Sequence, residues 1–345
     1  MTRRQFTATA AGAACAAAGP SRYAGRIRIA FLGVSHSHGP DKVQLCRESP
    51  DWELAGIWEP DSAVAGKYRA AGVRMLTREE ILNDPTIPVV AIESAARLHG
   101  PLAVAALSAG KHVHLEGPPA GKADTSRIAG LARSNGLLVQ VGYLWRHHPG
   151  MNALIDAARN GWLGNIFLVH GMMDTLLPDR RSESALLNGR QMSDQSCHLI
   201  DPLVRLLGKP ACVLHCSRRT TAYGECADAS FNWPDALGIV SSAIVRPYAA
   251  TRPLFAHRMF EVQGSNGTAT LRLMEGAPRL EIDLVKAAGP YAEGKQEVRL
   301  PAFTRHAGDF QELARFLRNG SPLSVTLQEE LDVQETLLAA SEMLA

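Results

Sequence analysis

Three side chains in the second half of the chain have types and a spacing that suit proton transfer. Asp194, His198 and Asp201 occur at i, i+4 and i+7, so one helix would carry all three on one face. Histidine titrates near neutral pH, which makes His198 a natural proton relay. Asp194 would fix the tautomer of His198 or hold substrate hydroxyls, and we expect Asp201 to be structural. The alternative is a polar stripe on an exposed helix.

A second group of candidates follows the first predicted strand, in the run Gly33-Val34-Ser35-His36-Ser37-His38-Gly39. Open parallel sheets bind ligands beyond the carboxyl ends of their strands. The usual G-x-G-x-x-G pattern would need glycine where Ser35 and His38 stand, so the match by spacing is poor. Only Gly33, and Gly39 one place late, support a tight turn below a pyrophosphate.

An acidic residue ends the second predicted strand. Glu59 lies near the place where a carboxylate would bind an adenosine ribose, and an acid there favours NAD over NADP because it repels a 2′-phosphate. A solvated strand end is the alternative. The sequence therefore predicts a cofactor site on these residues: Gly33, Ser35, His36, His38 and Glu59.

The pair His36 and His38 also suggests a metal site at a strand end, as in zinc-dependent hydrolases. Such a site needs further ligands at later strand ends, and His112 and His114 share one strand face. The sequence around the strand that carries His112 and His114 argues against it, and we predict no metal. Cys212-x-x-x-Cys216, with His215 between, resembles a zinc site only faintly.

The elements that position these groups divide the chain into two parts. From residue 27, continuous apolar strands alternate with helices, which indicates a parallel sheet covered on both faces. The predicted fold is α/β, with an N-terminal Rossmann doubly wound parallel sheet and a C-terminal α+β domain with a large open antiparallel sheet. The first five predicted strands are Arg26–Val34, Trp52–Glu59, Val89–Glu93, His112–Glu116 and Leu137–Tyr143.

Strands dominate the second half, around one predicted helix, Ser193–Leu207. The strands predicted there are Ile166–Met173, Cys212–Ser217, Leu237–Val245, Met259–Gln263, Thr268–Leu273, Arg279–Val285 and Glu297–Leu300. The predicted divisions are residues 1–24 as a signal segment, 25–145 as the NAD(P)-binding domain, 146–306 as the substrate and oligomerisation domain, and 307–345 as a helical segment that packs back.

The signal prediction rests on Arg3-Arg4-Gln5-Phe6, which is typical of a twin-arginine export signal. It implies a periplasmic or extracellular protein that meets the twin-arginine translocase. A frayed alanine-rich helix of a cytoplasmic protein is the alternative. Lys plus Arg number 36 and Asp plus Glu 34, with no dense basic stripe, so nucleic-acid binding gets no support from charge. No membrane span is expected in the mature chain.

Residues 109–118 read AGKHVHLEGP, which resembles the A-G-K-H-V-x-x-E-K-P segment of the Gfo/Idh/MocA family of glucose–fructose oxidoreductases and inositol dehydrogenases. GYLWRHHP at residues 142–149, GWLGNI at residues 161–166 and the D-x-x-x-H-x-x-D stretch from Asp194 resemble further family segments. The resemblance implies NAD(P)-dependent chemistry on sugars or polyols. One departure matters most, because the family lysine thought to bridge cofactor and substrate is Gly117 here.

The resemblance also adds site residues to those above. It implies that His198 and Asp194 carry the catalysis and that Glu116 and His99 lie on the cofactor side. Three residues at the domain junction face either substrate or the packing between domains. They are Tyr143, Arg146 and His147.

The leading hypothesis is thus an exported NAD(P)-dependent oxidoreductase that acts on a sugar, polyol or sugar derivative by hydride transfer. One alternative is a redox-neutral NAD-dependent glycosidase or lyase of the same family. Another is a non-catalytic sugar- or nucleotide-binding relative that has lost the lysine. Family relatives bury the exposed sheet face by pairing sheets, so we expect a homodimer or homotetramer.

Overall fold

The computed structural model describes residue 23 and residues 25–119, 121–176, 191–221, 225–245, 258–273 and 278–342. The predicted signal segment lies outside these residues, apart from Tyr23. Among the described residues, no helix is both long enough and apolar enough to cross a membrane.

The first half forms the predicted parallel sheet. Its strands are β1 (Ile27–Leu32), β2 (Trp52–Trp58), β3 (Val89–Ile92), β4 (His112–Glu116) and β5 (Val139–Gly142), in the order β2-β1-β3-β4-β5. Every pair is parallel. The α/β prediction with a Rossmann-like sheet is confirmed. The apolar runs of these strands are buried because helices cover the sheet.

The helices of this half are α1 (Gly39–Glu48), α2 (Ser62–Ala70), α3 (Arg78–Asn83), α4 (His99–Ser108) and α5 (Lys122–Asn135). Local signals in the sequence set some of their ends. Thr77 and Glu80 form a capping box at the start of α3, in which each side chain accepts the other's backbone N–H. Gly136 ends α5 in the left-handed conformation, with φ of 62°.

The second half contains an eight-stranded sheet, in the order β13-β12-β11-β10-β6-β9-β8-β7. The strands are β6 (Ile166–Leu176), β7 (Cys212–Thr220), β8 (Glu225–Asn232), β9 (Leu237–Val245), β10 (Arg258–Gly264), β11 (Gly267–Arg272), β12 (Arg279–Leu284) and β13 (Gly294–Val298). The sheet is mostly antiparallel, but β6 and β9 pair in parallel. The prediction of a large antiparallel sheet in this half is confirmed, with this one parallel pair as an exception.

Two predictions for this half need correction. Strand β8 was not predicted, because its inward positions are mainly small alanines, Ala227 and Ala229, rather than a strong apolar run. The predicted helix Ser193–Leu207 is two helices, α7 (Gln191–Asp194) and α8 (Cys197–Leu207). The break at residues 195–196 means that Asp194 and His198 do not share a face of one helix.

Three further helices complete the fold: α6 (Pro149–Arg159), α9 (Ala307–Asn319) and α10 (Leu327–Glu342). Helices α6 and α8 pack on the inner face of the large sheet. The last two helices return to both halves. Phe310 and Leu313 of α9 join the apolar cluster around β1, whereas Val333 and Leu337 of α10 join the core of the second half.

Candidate functional site

A cavity of about 270 Å³ lies where the carboxyl edge of the parallel sheet meets the second half of the chain. The loops after β1, β3 and β4 line one side of it, and residues of β6, β10 and the α7–α8 segment line the other. Its lining residues are Ser35, His36, Ser37, His38, Ala95, Ala96, Gly117, Pro118, Leu144, Met173, Thr175, Asp194, Gln195, His198, Arg258 and Arg305. The position is the one at which parallel sheets bind ligands.

The loop from β1 to α1 makes a tight turn that needs both of its glycines. Gly33 has φ of 87°, and a Cβ there would lie 2.4 Å from Cβ of Ser94. A Cβ on Gly39 would lie 2.7 Å from the carbonyl oxygen of Val34. Only glycine allows these close approaches. Ser35 is thereby held at the cavity wall.

The carboxylate of Glu59 fastens this loop to the end of β2. It accepts the backbone N–H of Val34 at 2.7 Å and that of Asp61 at 2.9 Å, and the residue is only 8% exposed. Glu59 is not among the residues that line the cavity. The structure thus gives it a loop-holding contact that sequence reasoning did not anticipate.

A buried lysine, missed by the sequence reasoning, lies behind the cavity. Nζ of Lys42 is 2.8 Å from Oε1 of Glu93 and 2.5 Å from Oε2 of Glu116, and all three side chains are fully buried. Burial alone would lower the pKa of Lys42, but the two carboxylates raise it well above its usual range. Lys42 lies beside Val43 and one turn before Cys46, so a charge on the apolar face of α1 was the available signal.

Glu116 also faces two histidines of the β1–α1 loop. Its Oε2 lies 3.2 Å from Nδ1 of His38 and 3.8 Å from Nδ1 of His36. One potential ligand atom from each of the three side chains lies within 4.8 Å of the others. Burial lowers the pKa of His36 to about 3, so its ring is neutral at neutral pH. His112 and His114, considered above as further ligands, are outside this group, and His114 contacts Gln140 and Lys42.

His99 is fully buried and joins two strand ends. Its Nδ1 lies 2.8 Å from the carbonyl oxygen of Pro118 and its Nε2 lies 2.9 Å from that of Ser94. Burial lowers its pKa. The ring braces the loops after β3 and β4 from behind, and it does not line the cavity.

His198 and Asp194 both line the cavity, although a helix break separates them. Nδ1 of His198 accepts the backbone N–H of Leu144 at 3.3 Å, which leaves the ring proton on Nε2. Burial lowers the pKa of His198 to about 3, so the ring is neutral at neutral pH. The side chain of Asp194 accepts a hydrogen bond from Ser193 Oγ at 3.2 Å.

The three junction residues are not among those that line the cavity. Arg146 is 1% exposed and forms ion pairs with Asp201 and Glu330, each at 2.5 Å. These contacts correspond to the alternative in which the junction residues pack between the domains. Nε2 of His147 lies 3.3 Å from Oδ1 of Asp309 on α9.

The ring of Tyr143 fills the space beside Gly117. A Cβ on Gly117 would lie 3.0 Å from Cε1 of Tyr143, so a side chain at that position would require the ring to move. Tyr143 is fully buried, and its hydroxyl has no hydrogen-bond partner among the described residues. The ring centroid lies 6.1 Å from that of His198.

Residues 27–143 match the Gfo/Idh/MocA family model, described as an oxidoreductase family with an NAD-binding Rossmann fold. A reductase of dTDP-3,4-didehydro-2,6-dideoxy-α-D-glucose from Streptomyces violaceoruber is 37% identical over 150 residues, which are 41% of this chain and 43% of the reductase. Inositol 2-dehydrogenase from Salmonella typhimurium is 35% identical over 157 residues, 43% of this chain and 44% of that protein. The chain thus matches less than half the length of both relatives.

Solved structures are similar over nearly the whole chain. GenD2 from gentamicin A biosynthesis, in complex with NAD, has a TM-score of 0.75 at 20% identity. The alignment covers 94% of this chain and 95% of the GenD2 chain. Biliverdin reductase from Synechocystis sp. PCC 6803, in complex with biliverdin and NADP⁺, has a TM-score of 0.72 at 22% identity. The alignment covers 92% of this chain and 98% of the reductase chain. At these identities the likeness concerns the fold.

Proposed function

We propose that this chain is an NAD(P)-dependent oxidoreductase that transfers hydride to or from a carbon of a sugar, polyol or sugar derivative. The carrying observation is the cavity in which His198 and Asp194 face the β1–α1 loop of an NAD-binding Rossmann domain. The activities of the dTDP-sugar reductase and the inositol dehydrogenase support the substrate class.

The residues of the β1–α1 loop fit a dinucleotide. Gly33 and Gly39 keep the turn free of side chains that would occupy it, and Ser35 and Ser37 line the cavity. The acid at the end of β2, Glu59, uses both of its oxygens to accept backbone N–H groups, and its negative charge at this place would still disfavour the 2′-phosphate of NADP. When bound, the nicotinamide would accept or supply the hydride.

His198 has the protonation state of a hydrogen-bond donor. Because Nδ1 accepts the N–H of Leu144, the neutral ring carries its proton on Nε2. With a pKa of about 3, the ring is a weak base at neutral pH. We therefore assign His198 the role of holding and polarising a substrate carbonyl or hydroxyl oxygen, with Asp194 holding neighbouring hydroxyls.

The second candidate is a non-catalytic sugar- or nucleotide-binding protein. The observation that favours it is the absence of a lysine at Gly117, where a Cβ would already lie 3.0 Å from Cε1 of Tyr143. Both candidates can bind a sugar or a nucleotide, but only the oxidoreductase turns a substrate over.

Export and self-association complete the proposal. An exported oxidoreductase would keep its nucleotide bound, since the periplasm offers no free pool.

The outer face of the large sheet carries half-buried apolar side chains, among them Leu168, Met172, Ile239 and Met259, and pairing two such faces would bury them. Light scattering after size-exclusion chromatography is expected to give a dimer or tetramer, and a clean monomer would contradict this.

The test begins with native mass spectrometry of the full chain, followed by identification of the nucleotide released on denaturation. We expect stoichiometric NAD or NADP. A panel of sugars, polyols and keto-sugars is then screened with NAD⁺ and with NADH. His198→Asn keeps an acceptor for the N–H of Leu144 and removes the Nε2 donor, and it should lower kcat/KM by about 100-fold or more while nucleotide affinity stays unchanged.

The exposed His215 on β7 supplies the matched control, and His215→Asn should leave kcat/KM unchanged. Nucleotide and sugar binding without turnover by any substrate would support the non-catalytic candidate. A chain that is purified empty and does not bind added NAD(P) would overturn the oxidoreductase proposal and leave the sugar-binding form of the second candidate.

A further inference from the structure

We propose that His36, His38 and Glu116 form a binding site for a divalent transition-metal ion of the zinc type, open toward the cavity. Imidazole nitrogen and carboxylate oxygen are ligands that zinc accepts. No part of the proposed hydride transfer requires this site, and the metal proposal stands on the geometry of these three side chains.

The distances suit one shared ion. Ligand atoms about 2 Å from a tetrahedral ion lie about 3.4 Å from one another. Oε2 of Glu116 is 3.2 Å from Nδ1 of His38 and 3.8 Å from Nδ1 of His36, and one atom from each of the three lies within 4.8 Å of the others. Nδ1 of His36 accepts the backbone N–H of His38 at 3.3 Å, so this ring would have to turn away from that contact to share an ion with the other two.

The groups are held ready by buried contacts. Glu116 is fully buried, and its carboxylate is fixed by Nζ of Lys42 and by the backbone N–H of Gly117. Nδ1 of His38 is buried and makes no aligned hydrogen bond in the described part of the chain. Nδ1 of His38 lies 3.2 Å from Oε2 of Glu116, which is close enough for both atoms to bind one cation.

A third imidazole lies beside the pair. The ring centroid of His306 is 4.7 Å from that of His38, and its buried Nε2 has no hydrogen-bond partner among the described residues. His306 has φ of 63°, the left-handed region that residues other than glycine rarely adopt. The fold therefore brings one more potential nitrogen ligand to the same corner in a costly backbone conformation.

The ammonium of Lys42 is the main electrostatic objection, because it contacts the same oxygen of Glu116. Its charge is shared between two carboxylates, since Glu93 lies 2.8 Å away on the same Nζ. Asp309 adds a further buried carboxylate nearby, whose charge raises the pKa of Lys42. Lys42 therefore has a second acid to contact when Glu116 binds the ion.

The site opens where a substrate is expected. His36 keeps 27% of its side chain exposed and lines the cavity together with His38 and His198. Three protein ligands and an open position are typical of catalytic zinc, whereas structural zinc sites are closed. A water or a substrate hydroxyl would take the remaining position and be polarised there.

The experiment uses the full chain stripped with a chelator and titrated with Zn²⁺ against a chromophoric chelator. We expect one equivalent bound per chain, and an affinity at least about 100-fold lower in Glu116→Gln and in the double variant His36→Ala with His38→Ala. Circular dichroism and thermal melting identify any variant that fails to fold. If the double variant fails to fold, the isosteric Glu116→Gln still tests the site.

The matched control changes the other group that faintly resembles a zinc site, on β7, in the double variant Cys212→Ser with His215→Ala. This variant should retain full Zn²⁺ affinity. Substitution by Co²⁺ gives an independent readout: nitrogen and oxygen ligands give visible ligand-field bands without the near-ultraviolet charge-transfer band that thiolates produce.

Three results would overturn the proposal. They are the absence of stoichiometric Zn²⁺ in the folded chain, unchanged affinity in both site variants, and a thiolate band that disappears in the β7 control. NADH binding to the metal-free sample, followed by its fluorescence, is scored separately. A failed metal site and a failed dinucleotide site are therefore distinguishable.

Discussion

Arg146 and Glu330 are 184 positions apart and form a buried two-bond ion pair, with Nη1–Oε1 at 2.5 Å and Nη2–Oε2 at 3.0 Å. Oε1 of Glu330 also accepts the backbone N–H of Val141 on β5 at 3.0 Å. The pair connects the start of the second half of the chain with the final helix α10. It makes the junction beside the cavity depend on the end of the chain.

Loss of this carboxylate should be costly. Glu330→Gln leaves the Arg146 guanidinium buried with one acid fewer, and we expect a loss of about 3 kcal/mol in unfolding free energy. Glu335 pairs with Lys209, and their side chains are 52% and 48% exposed, so Glu335→Gln should cost less than about 0.5 kcal/mol. Urea denaturation of the two variants measures the difference. Equal losses would contradict the assigned role.

The turn at Gly33 should not tolerate a methyl group. Gly33→Ala combines a positive φ with a contact of 2.4 Å to Cβ of Ser94, and we expect about 3 kcal/mol of destabilisation together with loss of NADH binding. Gly72 has a similar φ of 73°, and a methyl group added there would meet no atom within 4 Å, so Gly72→Ala isolates the backbone strain at about 1 kcal/mol. If the two variants melt at the same temperature, the close approach to Ser94 does not exist in solution.

Removal of the Tyr143 hydroxyl should stabilise the protein. Because this hydroxyl is buried without a partner among the described residues, Tyr143→Phe is expected to add about 1 kcal/mol to the unfolding free energy. The KM for substrate should stay unchanged if Tyr143 only packs, and should rise if the hydroxyl binds substrate. A destabilised Tyr143→Phe variant would mean that a bound water or another group satisfies the hydroxyl.

His148 should contribute a pH-dependent part of the stability. Its Nδ1 accepts the N–H of Met151 and caps α6, and burial lowers its pKa from 6.5 to about 4. The unfolded state therefore binds the proton more readily, so the stability from the neutral ring is present above pH 6.5 and is lost as the pH falls toward 4.

We expect this loss to reach about 1 kcal/mol by about pH 5. His148→Asn keeps a capping acceptor that does not titrate in this range. The melting temperature of the natural protein should therefore fall about 2 °C further between about pH 7.5 and pH 5 than that of the variant. Parallel melting curves across this range would refute the prediction.

The parallel sheet could be predicted because its signals are local. Continuous apolar strands, the Thr77 capping box and the glycine at position 136 each act within a few residues, and the structure contains all of them. Strand β8 and the parallel β6–β9 pair depend instead on what packs across the sheet. A run of small and polar residues becomes a strand there because Ala227 and Ala229 fit beneath their neighbours.

The site divides in the same way. The spacing of His36 and His38 identifies a pair of potential ligands, and the strand-end rule brings Glu116 to the same edge of the sheet. The position of Lys42 behind them, and the helix break between Asp194 and His198, could not be read from spacing. The contacts of Lys42 follow from long-range packing, in which α1 turns a charged side chain toward buried acids.

The return of α9 to the first half affects the order in which the polypeptide can mature. Phe310 and Leu313 complete the apolar cluster around Ile29 and Phe31, although nearly the whole sequence separates them. While the ribosome is still translating the second half, this cluster lacks its last layer and presents an uncovered apolar face. The nucleotide-binding half can therefore finish folding only after residues 307–319 have emerged, and nascent chains cut short of this point are expected to be captured by chaperones.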